Sequence, residues 1–225
     1  MHVLARVPIA RLTYAPRAWF PVAAWSALAI VAAFFERQSA SGADHVLLGS
    51  FGSIVVPFLA FATVSSVLAN EGLSEAIRPI VSLGASPARV AFATVLTAML
   101  VSAAATGLLS TLVVVIAGSP HLGSDLAASL WISALAGACY AAWFSLGSTF
   151  GRRGTGRATF LVIDYLFGAT TGATSSTIAL FTPRGNLHSL LGGTAPNEIS
   201  QRVSSVALVL LAAVCLVLAS RRVKG

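Results

Sequence analysis

Six long apolar stretches that carry a single ionisable side chain, Asp164, constrain this chain more than any other feature. They run from Ala18 to Phe35, Val46 to Ala69, Val90 to Ala117, Leu126 to Phe150, Ala158 to Thr182 and Val203 to Ser220. Each is near the ~20 residues with which a helix crosses ~30 Å of hydrocarbon. The expected fold class is an all-α polytopic membrane protein with six transmembrane helices. At 225 residues, 56% of them hydrophobic, nearly all the chain is used up by these helices and their loops. It therefore reads as one transmembrane domain, 1–225, and any soluble engine is expected to be another polypeptide.

The cations alternate by loop. Arg6, Arg11 and Arg17 precede the first stretch, Arg78 and Arg89 follow the second, Arg152, Arg153 and Arg157 follow the fourth, and Arg221, Arg222 and Lys224 follow the sixth. The remaining loops hold only Arg37, Arg184 and Arg202. The positive-inside bias then predicts both termini in the cytoplasm, in agreement with an even number of spans. The net charge of +7 lies in those loops, which reads as topology signal and contact for anionic membrane lipid. No basic patch interleaved with aromatics points to nucleic acid. Cys139 and Cys215 fall inside spans, where cysteine behaves as a small apolar residue. The N-terminal segment has a signal-like layout with too long a core, and is expected to be an uncleaved first helix. Thirteen arginines to one lysine suit a GC-rich bacterial genome, so the expected location is a bacterial cytoplasmic (inner) membrane.

Two connections are long, 70–89 and 183–202, and the topology places them on opposite faces. In the first, Leu73, Ile77, Ile80 and Val81 recur at helical steps, with Glu71, Glu75 and Arg78 on the other face. Gly84 fits the helix stop. Ser86 followed by Pro87 fits a new start, the serine accepting from free backbone N–H groups and the proline sitting where no donor is needed. Pro79 is expected to interrupt the short helix or break it in two. A rigid surface helix anchored between two membrane helices can transmit force; the plainer reading is a helix lying among headgroups.

The segment Glu75-Ala76, then Leu83-Gly84-Ala85-Ser86-Pro87 and Arg89, resembles the cytoplasmic coupling loop of ABC transporter permeases. The nine-residue step from Glu75 to Gly84 is about one helical turn longer than in importers. The whole layout is similar to the export-type (type-2) ABC permeases: a cytoplasmic lead-in at 1–17, six spans, a coupling helix in 70–89, and an external re-entrant hairpin in 183–202 before the sixth span. The resemblance implies an ATP-driven exporter subunit working as a homo- or heterodimer with a second permease copy, served by a separate ABC ATPase that holds ATP and magnesium. Glu71, Glu75, Ala76, Arg78, Gly84, Ala85, Ser86 and Arg89 would then contact that ATPase. The chain itself is expected to bind no cofactor and catalyse nothing: a P-loop needs a lysine after its glycine-rich turn, and the one lysine is Lys224. The run Gly151-Arg-Arg-Gly-Thr-Gly-Arg157 follows no strand and reads as a topology determinant.

Asp164 sits seven residues after Arg157, about 10 Å along a helix. A carboxylate within a span is a functional-site candidate; alternatively it is a structural partner satisfied by Arg157, by hydroxyls or by an arginine from a neighbouring helix. Beyond it, Gly168 and Gly172 form a small-residue step followed by hydroxyls, among them Thr171, Thr174 and Ser175. That pattern suits tight packing at a dimer seam or a polar wall of the translocation path. His45, His121 and His188 fall in external loops with Asp44, Asp125 and Glu198, without the spacing of a metal site. Gly49 to Gly52 reads as packing sequence, and Pro57 as a kink. Two other functional classes remain open on sequence grounds: a proton- or ion-coupled secondary transporter using Asp164, and a membrane scaffold or assembly subunit.

Overall fold

A computed structural model describes residues 16–39, 41–168, 177–193 and 200–223. Helix α1 spans Pro16–Phe35, α2 Gly42–Val67, α3 Leu73–Val81, α4 Pro87–Ala117, α5 Leu122–Gly147, α6 Gly156–Phe167, α7 Pro183–Leu190 and α8 Gln201–Arg222. The described residues contain no strand. Among the described residues, four helices are long and apolar enough to cross a membrane: α2 with 26 residues, α4 with 31, α5 with 26 and α8 with 22. Their outward side chains, among them Leu100, Leu108, Leu112, Val206 and Leu210, stay exposed, leaving an apolar exterior that suits lipid rather than water. This is a multi-pass helical membrane architecture.

The bundle is built on an antiparallel α4–α5 pair, the most extensive helix packing among the described residues. Glycines let the two backbones approach: a Cβ on Gly107 would lie 3.2 Å from the Leu130 carbonyl oxygen, and one on Gly137 would collide with the Thr106 hydroxyl. Hydroxyls then bond across the seam. Thr106 donates to the Ser133 carbonyl at 2.7 Å and Ser110 to the Ser129 carbonyl at 3.0 Å. Small residues with hydroxyl links are how apolar helices hold together when lipid removes the hydrophobic drive between them. α2 and α8 pack on this pair around Phe51, Val55, Leu59, Tyr140, Phe144 and Leu208.

Two departures from the sequence reading shape the rest. The stretch from Ala158 to Thr182 is not one continuous described helix. α6 ends at Phe167, the Gly168 N–H bonds the Asp164 carbonyl at 2.8 Å, and the described chain resumes as a 3₁₀ turn at Thr177–Phe181 leading into α7. Gly168 permits this because the returning chain lies on it, the Arg184 Cβ 2.7 Å and the Thr182 hydroxyl 2.8 Å from where its own Cβ would stand. In α2, residues Leu47–Val55 are wound as a π-helix, where packing sequence alone was expected. Pro57 follows at once and has no N–H to offer the carbonyls behind it. The Ser53 carbonyl instead accepts from the Tyr165 hydroxyl of α6 at 2.6 Å.

Candidate functional site

Helix α3 stands between α2 and α4 on the face that also carries the α5–α6 loop and the end of α8. Leu73, Ala76 and Ile77 are buried, Ile80 and Val81 half-buried, and Glu71, Glu75 and Arg78 exposed, so the amphipathic stripe read from sequence is the face that packs. The Glu75 carboxylate accepts from the Gly72 N–H at 3.2 Å, closing the first turn. Pro79 neither interrupts nor divides the helix. It sits two residues from the end and forfeits one bond, while the Ser82 N–H beyond it still bonds the Arg78 carbonyl at 2.9 Å. Gly84, at φ +89°, donates to the Val81 carbonyl at 2.9 Å and makes the expected stop. Ser86 is the N-cap of α4 by its extended backbone, but its side chain makes no capping bond; Pro87 occupies the first turn as expected. The tip is free of the bundle, with Leu83 85% exposed, Ser86 and Arg89 exposed and Ala85 half-buried.

The base of α3 is fastened to the α5–α6 loop. The Leu73 N–H bonds the Ser148 carbonyl at 3.2 Å. Arg157, only 5% exposed, sends Nη2 to the Glu71 carbonyl at 3.1 Å and Nε to the Gly154 carbonyl at 3.2 Å. It therefore does not reach Asp164, the partner sequence spacing offered it. Two clefts flank α3. One, of about 300 Å³, is lined by Ser74, Glu75, Ile77, Arg78, Val81, Pro87 and Val223. The other, of about 340 Å³, is lined by Asn70, Glu71, Glu75, Arg78 and Arg153.

Asp164 is fully buried and fully engaged. Oδ2 accepts from the Tyr140 hydroxyl of α5 at 2.9 Å, and Oδ1 from the Arg184 backbone N–H in the first turn of α7 at 3.1 Å. An acid at the start of another helix also faces the positive end of its dipole. The Arg184 guanidinium lies over the Tyr165 ring, 4.1 Å from its centroid. Thr182 caps α7, its hydroxyl accepting from the Gly185 N–H at 3.3 Å. Asn186 spans the same turn, donating to the Leu180 and Thr182 carbonyls at 2.8 and 3.0 Å. α7 then reaches α8 through the Ser204 hydroxyl, which donates to Ser189 at 3.0 Å. Of the residues assigned to a translocation path or dimer seam, Asp164 and Gly168 meet here, while Thr171, Gly172, Thr174 and Ser175 lie outside the described residues.

No family model, curated protein or solved structure matches the chain. Its function is therefore argued from its own geometry. On the face opposite α3, a cavity of about 470 Å³ brings Asp44, His45, Asp125 and Gln201 over a floor that includes Leu47, Leu190 and Leu191. Asp125 already accepts from the Ser119 hydroxyl, and His45 lies 3.9 Å from Glu36. Among the described residues no three His, Cys, Asp or Glu side chains gather as metal ligands. Sequence reasoning missed Tyr140 and Arg184 as partners of Asp164. Their separations of 24 and 20 residues fit no local periodicity, although Thr182-Pro183 was a helix-start signal of the same kind as Ser86-Pro87.

Proposed function

We propose that this chain is the membrane permease subunit of an ATP-driven, ABC-type exporter, coupled through α3 to a separate ATPase. The observation that carries the reading is the mounting of α3: a short amphipathic helix tied at its base by Arg157 and the Leu73–Ser148 bond, with the tip from Leu83 to Arg89 standing free. Such a lever passes a push at its tip into the α5–α6 loop and the bundle behind it. In this reading the α3 face is cytoplasmic, both termini lie on that side of a bacterial inner membrane, and six spans are completed by α1 and by the segment containing α6. α7 is the re-entrant hairpin, and two copies of the chain enclose the path. ATP binding in the partner favours one conformation only through its differential affinity for it. The engagement of both Asp164 oxygens favours a structural acid over a proton carrier.

The test is co-purification of the tagged chain from its native host in mild detergent, with ATP hydrolysis measured in the complex. A P-loop ATPase is expected in stoichiometric amount. Replacing Leu83 and Arg78, both exposed, by serine is expected to leave the membrane fold intact and release the ATPase or uncouple its hydrolysis. Purification of the wild-type chain without any ATPase would remove the proposal.

A further inference from the structure

Arg157 presents a problem that the coupling role does not solve. Its guanidinium is buried, and among the described residues it is bonded only to two carbonyls, its Nη1 has no hydrogen-bond partner and no carboxylate lies within 4.0 Å of it. A buried cation satisfied by neutral acceptors alone is costly, and a counter-ion nearby offsets that cost. Glu71 meets it through its carbonyl oxygen, and the Glu75 carboxylate is held by the Gly72 N–H. Neither supplies the charge.

The surroundings of Arg157 select an anion. It lies in the first turn of α6, a helix of 12 residues that no side chain caps, where the Gly156 and Ala158 N–H groups bond the Phe150 and Thr155 carbonyls at 3.1 Å and the loop before it is left to supply donors. The loop before it turns left-handed at Gly151 (φ +75°), Arg153 (φ +52°) and Gly154 (φ +71°), and returns to right-handed geometry at Thr155. Alternation of that kind gathers successive backbone N–H groups into an anion-binding concavity. Arg153 is exposed on the loop, where it lines a cleft with Glu71, Glu75 and Arg78, and Arg222 of α8 reaches the start of the same loop, its guanidinium 3.8 Å over the Phe150 ring. From this cluster exposed Val162 and Leu166 run along α6, one turn apart, into the apolar belt.

We propose that the loop from Phe150 to Arg157 is a binding site for the phosphate of an anionic phospholipid, with Arg153, Arg222, the backbone N–H groups of the left-handed turn and the field of Arg157 acting on the headgroup and the α6 surface receiving an acyl chain. Placement decides for lipid over a soluble phosphate, because the site stands where an apolar helix face meets a band of arginines. The lipid completes the charge balance of the loop that holds α3.

The experiment is native mass spectrometry of the detergent-purified full chain, incubated with an equal mixture of dioleoyl-phosphatidylglycerol and dioleoyl-phosphatidylcholine. Retention of phosphatidylglycerol over phosphatidylcholine is expected. It should fall about fivefold for each arginine lost in Arg153→Ser and Arg222→Ser, the effect of one basic residue at an anionic surface. Arg37→Ser/Arg202→Ser, the same charge change on the opposite face, should leave the preference intact. Arg157→Gln should abolish it, and the two exposed variants keep the test decisive if that protein does not fold. Equal retention of the two lipids would overturn the proposal, as would equal losses from the two faces. Thermal protection by inorganic phosphate alone, matching that given by phosphatidylglycerol, would overturn the lipid assignment.

Discussion

Arg157 and Asp164 lie seven residues apart on α6, both buried, and the bundle treats them in opposite ways. Asp164 receives a donor on each oxygen, one from α5 and one from α7, and becomes the point where three helices meet. Arg157 keeps an unpartnered nitrogen and reaches out of its helix to two backbone carbonyls, one of them 86 residues away in sequence. The difference teaches that an ionisable residue inside a membrane bundle marks function less by its depth than by what remains unsatisfied around it. The acid is finished by the fold, whereas the arginine at the helix start keeps a buried nitrogen that the described residues leave unpaired.

The strongest test of that contrast is Asp164→Ala. It strips the acceptor from the Tyr140 hydroxyl and from an N–H of α7, leaving two donors at a fully buried position without it. The expected cost is about 2–4 kcal/mol of stability, read as a fall in thermal midpoint in detergent, with α7 detaching first. Asp164→Asn, which keeps one acceptor oxygen, should lose about half as much. If Asp164→Asn is as stable as wild type and instead abolishes transport, the acid is a working group and the contrast collapses.

Arg157→Met should come next. Two charge-assisted bonds disappear, but so does a buried charge, and the opposing terms leave a net loss of about 1–2 kcal/mol. The local effect should exceed the global one. Amide exchange in residues 71–76 is expected to quicken at least about tenfold, one RT-scaled step of ~1.4 kcal/mol, while the α4–α5 pair keeps its protection. Uniform quickening across the bundle would place Arg157 with Asp164 as an ordinary stabilising residue.

Sequence and structure agree where periodicity or local chemistry carries the information. The apolar lengths of α2, α4, α5 and α8, the buried stripe of Leu73 and Ile77, the Gly84 stop and the Pro87 start all follow from residues within a few positions of one another. What could not be read depends on tertiary return of the chain. The end of α6 at Phe167 follows from Arg184 and Thr182 lying on Gly168, and an unbroken apolar run conceals it. The π-helix in α2 is matched to a tyrosine 112 residues onward, which takes up the Ser53 carbonyl. Asp164 was legible as unusual, but whether it is spent or free depends on Tyr140 and Arg184, which no spacing rule connects to it. Arg157 joins the positive-inside count beside Arg152 and Arg153, and counting does not distinguish a buried cation from an exposed one such as Arg153.

The smallest effect, and the one that resolves the acid's role most finely, belongs to Tyr140→Phe. The ring keeps its place against Phe144, with centroids 5.8 Å apart, so packing is preserved and only the hydroxyl is lost. The carboxylate then retains a single donor, the Arg184 N–H. A loss of about 0.5–1.5 kcal/mol is expected, the size of one hydrogen bond between membrane helices. Combined with Asp164→Ala, the tyrosine change should cost nothing further, because the bond it removes is already gone. That non-additivity is the signature of a direct pair and is read from four thermal midpoints. Full additivity would mean that the hydroxyl and the carboxylate act independently, and α6 would then be held to α5 by packing alone.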